Sequence, residues 1–311
     1  MKKCCVIMST YNGEKYVAHQ IDSILNQDGV LVDIYIRDDG SKDSTVEIIN
    51  GYCLKNDNVH LIIGNNVGVT ESFRLASEYV IVHSGSCDYY SFSDQDDEWL
   101  PNKLLSAITI IDDAIHDGNS NRPILYYSNL KVSDERLHYL YDRFPPHYVN
   151  NTKKQIMSEI CTLGCTCVFN ECLLREFIKT GRSFIPHDAW ITMIAAFLGS
   201  TIYDENSYIL YRQHGMNQSG AVKRGLSMYL SKVKRIPHIF DSSGDYEGMA
   251  REMLNNYQSK LQDDDICLLR TVAEYRCNYK FRLRLFFTNY IDSGHTWKEI
   301  ARRIRIICNR L

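Results

Sequence analysis

The chain has 311 residues, enough for one large domain or a domain with a smaller appendage, and its 44% hydrophobic and 23% charged residues are those of a globular protein. A net charge of -3 gives no global electrostatic reason for a nucleic-acid partner. The 11 cysteines are odd in number and lack paired C-x-x-C spacing, which favours reduced, intracellular thiols. The apolar run after Met1-Lys2-Lys3 stops at Met8, too short for a signal core or a membrane span, so a soluble or membrane-peripheral chain is expected.

Over the first hundred residues, β-rich runs at 4–8, 32–36, 59–63 and 89–92 alternate with helical periodicity. Val17, Ile21, Ile24 and Leu25 carry that periodicity first, then Leu75, Tyr79 and Val82. This order predicts an α/β domain with a largely parallel sheet. Each run ends in a polar cluster: Ser9-Thr10-Tyr11-Asn12-Gly13, Arg37-Asp38-Asp39-Gly40-Ser41, Gly64-Asn65-Asn66-Val67-Gly68 and Asp94-Gln95-Asp96-Asp97. Ligands of open α/β sheets bind beyond the carboxyl ends of the strands, so the four clusters are expected to line one crevice.

In the second cluster, Asp43 and Ser44 with Glu47 fit a helix cap and capping box. Asp38 and Asp39 are left over, placed to accept from a base N–H or from ribose hydroxyls. No G-x-G-x-x-G or G-x-x-x-x-G-K-S/T follows the first strand, so a bound diphosphate would need its charge met by metal. The fourth cluster supplies candidates. Asp94, Asp96, Asp97 and Glu98 repel one another unless solvent, arginines or a divalent cation offsets them, and Asp94 and Asp96 suit Mg²⁺ or Mn²⁺.

A helix is expected from Pro101 through Leu104, Leu105, Ile108 and Ile111, then a strand at 124–127. A loop-rich stretch to about 152 follows, in which Phe144-Pro145-Pro146-His147-Tyr148 reads as a surface loop or a flap over an acceptor site. Cys165 and Cys167 sit in an apolar segment and read as small hydrophobes rather than zinc ligands. Asp188 stands at the start of a helix containing Trp190, Ile194, Phe197 and Leu198; it reads as an N-cap, a general base, or both. Arg212 and His214 alternate on an extended segment and so face one side, where they could serve a diphosphate and its metal.

Together these residues resemble the family-2 type of inverting glycosyltransferase with a GT-A fold, most closely the bacterial rhamnosyltransferase-like subgroup. The resemblance rests on Ser9 to Glu14, Asp38-Asp39-Gly40-Ser41-x-Asp43, Asn66-x-Gly68, Asp94-Gln95-Asp96-Asp97 with Trp99-x-Pro101-x-Lys103-Leu104, Gly164-Cys165-Thr166, His187-Asp188-x-Trp190 and Tyr211-Arg212-Gln213-His214-x-x-Asn217. From about Ala221 strand signals give way to long helical patterns, which predict a helical C-terminal region over 221–311; the resemblance implies a mostly parallel sheet flanked by helices over residues 1–220. It further implies that Thr10, Tyr11 and Asp39 hold the nucleoside, that Asp38 supports that loop, and that Asn12, Glu14, Asn66, Gln95 and Arg212 complete the nucleotide-sugar contacts. Asp94 would face the ribose, Asp96 would bond Mn²⁺ or Mg²⁺ with His214 as a further metal or diphosphate ligand, and Asp188 would be the catalytic base. Two departures stand out: Phe73-Arg74 where many relatives carry Arg-Asn, and Asn129 where an aspartate is expected.

The activity implied is transfer of a sugar, L-rhamnose from dTDP-rhamnose first and a UDP-linked hexose second. The acceptor implied is a lipid-linked O-antigen, capsule or cell-wall glycan in the cytoplasm or on the inner face of the membrane. A sugar-nucleotide pyrophosphorylase would need a glycine-rich, basic first loop, which Ser9 to Glu14 is not, and a non-catalytic binding module would not need Asp188 and His214 together. From residue 270 onward, ten Lys/Arg face three acids, a pattern that suits either an amphipathic helix on anionic lipid or a packed helix with a basic outer face.

Overall fold

The computed structural model describes residues 1–115, 121–180, 185–215, 245–292 and 294–308. Asn217 and the expected start of the helical region at Ala221 lie outside them. The chain divides into two compact units, one of Met1–Val149, Thr162–Ala195 and Gly199–Gly215, the other of Asn150–Cys161, Ala196–Leu198 and Met216–Leu311.

In the first unit, β1 (Lys2–Thr10), β2 (Val30–Asp38), β3 (Val59–Ile63) and β4 (Tyr89–Ser93) are parallel, in the order β3-β2-β1-β4. Cys4 to Met8 are wholly buried, as expected of a central strand covered on both faces by helices. The chain steps from β1 outward to β2 and β3, then returns to place β4 on the other flank of β1. That reversal is the topological switch point, where the carboxyl ends of β1 and β4 leave a crevice.

Helices α1 (Val17–Leu25), α2 (Thr45–Cys53) and α3 (Val69–His83) connect these strands. The periodicity located α3 but misjudged its inner face: Tyr79 and Val82 are 38% and 73% exposed, while Phe73, Ala76, Ser77 and Val80 are buried. Small residues let this helix lie close to its neighbours, and Ser77 satisfies its hydroxyl on the Phe73 carbonyl at 2.7 Å.

Beyond β4 the sheet becomes mixed. β5 (Glu98–Trp99), β6 (Ile124–Ser133), β7 (Tyr139–Asp142), β8 (Val168–Phe169) and β9 (Ser200–Arg212) continue it in the order β4-β8-β6-β9-β5, with β7 paired to β6. β6 therefore runs six residues past the expected strand end, and part of the expected loop is a hairpin. Its polar second half hid it. Asn129 and Ser133 are buried in β6 because Asn129 bonds the Phe144 backbone and Ser133 donates to the Tyr211 carbonyl at 3.0 Å.

Helix α4 (Lys103–Ile115) begins two residues after Pro101. Its first residue, Lys103, is buried on the Trp99 ring at 3.6 Å and donates to Ser91 at 3.2 Å; burial pushes its ammonium down to about 8. The motif Trp99-x-Pro101-x-Lys103 thus props the turn beneath the acidic cluster.

The second unit contains α5 (Lys153–Ile156), and α6 (Glu171–Thr180) and most of α7 (His187–Leu198) belong to the first. The second unit also holds α8 (Tyr246–Tyr257), α9 (Asp263–Glu274), α10 (Tyr279–Phe287) and α11 (Thr296–Ile307). Met249, Met253, Leu269, Val272 and Tyr275 are among its buried residues, and Lys153 pairs with Asp265 at 2.6 Å. Among the described residues, no helix is long and apolar enough to cross a membrane, and no two cysteines are bridged.

Candidate active site

The first three clusters are tied to one another by their own side chains. Thr10 donates to Asp38 at 3.0 Å, and Asp38 also accepts from the Gly40 and Ser41 amides at 3.1 and 2.8 Å and from the Ser41 hydroxyl at 2.5 Å. Both Asp38 oxygens are therefore engaged in shaping the loop. Gly40 adopts φ +82°, and a Cβ there would stand 3.1 Å from the Asn66 amide, so glycine suits both the turn and the close approach. Asp39, 3% exposed, pairs with Arg37 at 2.5 Å and accepts from the Val67 and Gly68 amides at 3.0 and 2.9 Å.

Asn12 and Glu14 reach across to the start of α2. Asn12 accepts from the Lys42 amide at 2.8 Å and Glu14 from the Ser44 amide at 2.9 Å. Asp43 accepts from the Thr45 amide at 3.1 Å, and Ser44 makes no side-chain cap. The expected Ser44–Glu47 capping box is therefore replaced by Asp43 and a carboxylate supplied from another loop. Asn66 is exposed on the rim.

Gln95 joins the β1 and β4 ends. Its amide accepts from the Tyr11 N–H at 2.9 Å and donates to the Tyr11 carbonyl at 3.1 Å, copying a strand pairing. Tyr11 is held by its backbone while its ring stays 46% exposed.

Around Gln95 the carboxylates crowd. Burial pushes the Asp94 carboxyl up to about 7, and the charges of Asp96 and Asp188 push in the same direction. Asp97, fully buried, is pushed well above the usual range by burial and then by Asp96 and Asp94. One Asp97 oxygen accepts from the Arg212 amide at 3.1 Å; the other has no hydrogen-bond partner. Asp94, Asp97 and the Cys165 thiol each offer an atom within 4.8 Å of the others. Glu98 turns away to His19 at 2.8 Å.

Asp96 meets His214, with 2.8 Å between Oδ2 and Nε2. The His214 ring stacks on Tyr16 at 4.8 Å, and the Arg212 guanidinium lies over the same ring at 4.7 Å, so the two do share a side. Arg212 also donates to the Asp96 and Glu135 carbonyls, each at 2.7 Å, and Glu135 accepts from the Tyr16 hydroxyl at 2.8 Å. Carboxylate oxygens beside a neutral imidazole nitrogen are donors that suit Mn²⁺ or Mg²⁺, and the crowding of Asp94, Asp96 and Asp188 favours a cation among them.

Asp188 lies in the first turn of α7, two residues after the N-cap position at Pro186, and accepts from the Ala189 amide at 2.8 Å. Its neighbour His187 is packed on Phe73 at 4.1 Å and kept below the usual imidazole range by burial, against the opposing pull of Asp188. A Cβ at Gly164 would stand 2.4 Å from His187 Nε2, which is why that approach needs a glycine. Phe73 of the divergent Phe73-Arg74 pair is therefore a wall for His187, while Arg74 pairs with Glu71 at 2.5 Å.

The structure thus forms two bonded groups, Tyr11 with Gln95 and Asp96 with His214 and Arg212, which meet where Gln95 and Asp96 adjoin in the chain; Asp96 and Asp188 act on Asp94 through charge, and Asn12, Glu14, Asp38 and Asp39 are held in the adjoining loops. Sequence reasoning left Asp97 ambiguous and took Cys165 for a plain hydrophobe; nothing in their spacing marks them as neighbours. Tyr16 and Glu135, which seat Arg212 and His214, carry no motif at all.

A twisted α/β sheet with acidic side chains at its switch point and a mixed extension carrying the second half of the site defines the GT-A class of nucleotide-sugar folds. The family model for glycosyl transferase family 2 matches residues 5–177, and the chain belongs to that family. It is 30% identical over 228 residues to the dTDP-rhamnosyl transferase RfbG of Shigella flexneri, covering 69% of this chain and 74% of that protein. In fold it is similar to S. aureus TarS 1-349, in complex with UDP-GlcNAc, with a TM-score of 0.53 at 16% identity over 98% of this chain and 90% of the other. A mannosyltransferase, PcManGT from Pyrobaculum calidifontis in complex with GDP-Man and Mn²⁺, gives 0.50 at 14% identity over 99% and 88%.

Proposed function

We propose that the protein moves a sugar, L-rhamnose from dTDP-rhamnose by first preference, onto a hydroxyl of a growing bacterial surface glycan with inversion at the anomeric carbon. The single observation that carries the transferase chemistry is the Asp96–His214 contact, next in the chain to the Gln95 that clamps Tyr11, with Asp94 in electrostatic reach of both Asp96 and Asp188. The likeness to the Shigella flexneri protein supports rhamnose; UDP-glucose and UDP-galactose are the second choice of donor.

In this reading the exposed Tyr11 ring is a platform for the base, with Thr10, Asn12, Glu14, Asp38, Asp39 and Asn66 shaping the pocket around it. Asp96 and His214 hold Mn²⁺ or Mg²⁺, which when bound offsets the charge of the leaving nucleoside diphosphate. Asp94 and Gln95 face the ribose side, and Arg212 keeps the Asp96 carbonyl and the His214 segment in place. Asp188, in the first turn of α7, takes the proton from the acceptor hydroxyl. General-base help of this kind contributes about 10² to 10⁴ in rate.

The residues up to about 220 would supply this chemistry and the helical remainder would hold the enzyme at its acceptor. On α10, Tyr279, Leu283 and Phe287 recur every four residues and are 68%, 48% and 70% exposed, beside Arg276, Lys280 and Arg284. Such a stripe suits the interface of an anionic membrane carrying a lipid-linked acceptor.

The test is release of free nucleoside diphosphate from dTDP-rhamnose, UDP-glucose and UDP-galactose with Mn²⁺ and a glycan acceptor. Asp188→Asn is expected to cut turnover at least about 100-fold while nucleotide affinity is kept. Near-normal turnover by that variant would remove Asp188 as the base.

A further inference from the structure

A cavity of about 650 Å³ opens in the first unit away from the acidic cluster. Its walls come from the turn after β5, from β6 and β7, from the Phe144–Pro146 segment and from residues 205–208 of β9. Tyr208 precedes Arg212, the last residue of β9, by four residues, about 13 Å of strand, and His214 lies beyond that end, so the cavity is set back along β9 from the Asp96–His214 contact. The established family chemistry leaves it without a task.

The walls are held in place by buried polar groups. Asn129, where the resemblance leads one to expect an aspartate, donates to the Phe144 carbonyl at 2.9 Å and accepts from the Phe144 amide at 3.1 Å. An aspartate could accept but not donate, so the amide is what closes both bonds. Phe144 then stacks on Tyr148 at 5.0 Å. On the opposite wall, buried Asp204 gathers the Tyr126 and Tyr208 hydroxyls at 2.9 and 3.1 Å and the Asn206 amide at 2.9 Å. β6 and β9 slip register around Asn129, which opens the room between them.

The lining has a mixed chemistry. Phe144, Tyr208 and two prolines give flat apolar surfaces, and Asn102, Lys131, Asp142, Glu205 and Asn206 give hydrogen-bonding groups. One ammonium against two carboxylates disfavours phosphate, nucleotide or an anionic lipid headgroup. Apolar ring faces beside polar groups match a pyranose, whose C–H faces pack on rings while its hydroxyls bond at the edges. We infer that this cavity is a second glycan-binding site, which takes a neutral oligosaccharide stretch of the acceptor at a distance from the transfer site. The inference rests on the transferase reading for its purpose, though not for its binding chemistry.

Saturation-transfer NMR with rhamnotetraose and maltotetraose tests it on the full chain. At least one tetrasaccharide is expected to bind the wild type, and the double variant Lys131→Ala/Asp142→Ala, altered only at the cavity mouth, is expected to bind it at least fivefold more weakly. The same variant is expected to keep wild-type nucleotide affinity and nucleoside-diphosphate release from the donor. Absence of binding by both tetrasaccharides at millimolar concentration, equal binding by wild type and variant, or tighter binding of inorganic phosphate at the cavity each overturns the inference. Failure of the transferase reading shows separately, as a wild type that releases no nucleoside diphosphate.

Discussion

Asp94 makes the ligand-free protein sensitive to alkaline pH. Its carboxyl is raised from an ordinary 3.8 to about 7, so the folded chain holds a proton there that the unfolded chain releases. The stability this contributes is fully present below about pH 3.8 and is lost as pH rises through about 7. The full difference corresponds to about 4 kcal/mol, of which about 3 kcal/mol falls between pH 5 and 8. Asp94 is part-buried, and solvent reaching it trims the expected loss to about 1 to 2 kcal/mol. Urea unfolding of the wild type and of Asp94→Asn at pH 5 and pH 8 measures it, because the amide keeps the shape without the titration. Asp97 is pushed in the same direction mainly by its own burial, which both proteins share; only the smaller part owed to the Asp94 charge differs between them. The wild type is expected to lose about 1 to 2 kcal/mol more than the variant across this window. Parallel behaviour of the two proteins, within about 0.5 kcal/mol, would refute the idea that the folded chain holds a proton on Asp94 at pH 5.

Asp96→Ala is expected to lower Mn²⁺-dependent nucleotide affinity at least tenfold by calorimetry while nucleotide binding in chelator changes little; unchanged affinity in Mn²⁺ would take Asp96 out of the metal site. On vesicles containing anionic lipid, flotation of the full chain is expected and should weaken as salt rises, and Leu283→Ser/Phe287→Ser should reduce it several-fold. Flotation that ignores both salt and these substitutions would speak against the α10 stripe.

Much of the first hundred residues was legible in the sequence, because central parallel strands are apolar throughout and their carboxyl ends carry the polar residues that ligands need. The expectation of one crevice lined by those ends followed from that alternation, whereas the β3-β2-β1-β4 order that makes the switch point did not. What escaped was set by contacts distant in sequence. The inner face of α3 depends on how closely Ala76 and Ser77 pack, which helical spacing does not report. The second half of β6 looked like loop because Asn129 and Ser133 are buried polar residues whose partners, Phe144 and Tyr211, lie elsewhere in the chain. Asp97 and Cys165 are 68 residues apart, and only the fold shows that the last acid of the cluster turns inward toward a thiol. Asp188 and His214 were singled out by a helix start and by alternation on an extended segment, with the resemblance adding their roles, whereas Tyr16 and Glu135 were missed because packing on one ring leaves no periodic trace.

The two hydrogen bonds between Gln95 and the Tyr11 backbone make the proposed base platform and the acidic turn one mechanical piece. Gln95 stands between Asp94 and Asp96, so an ion that draws in those carboxylates also pulls on the strand end that presents Tyr11, and a nucleoside that settles on Tyr11 steadies the carboxylates in return. Nucleotide and ion should therefore behave as a cooperative pair, each gaining affinity from the other by the same factor.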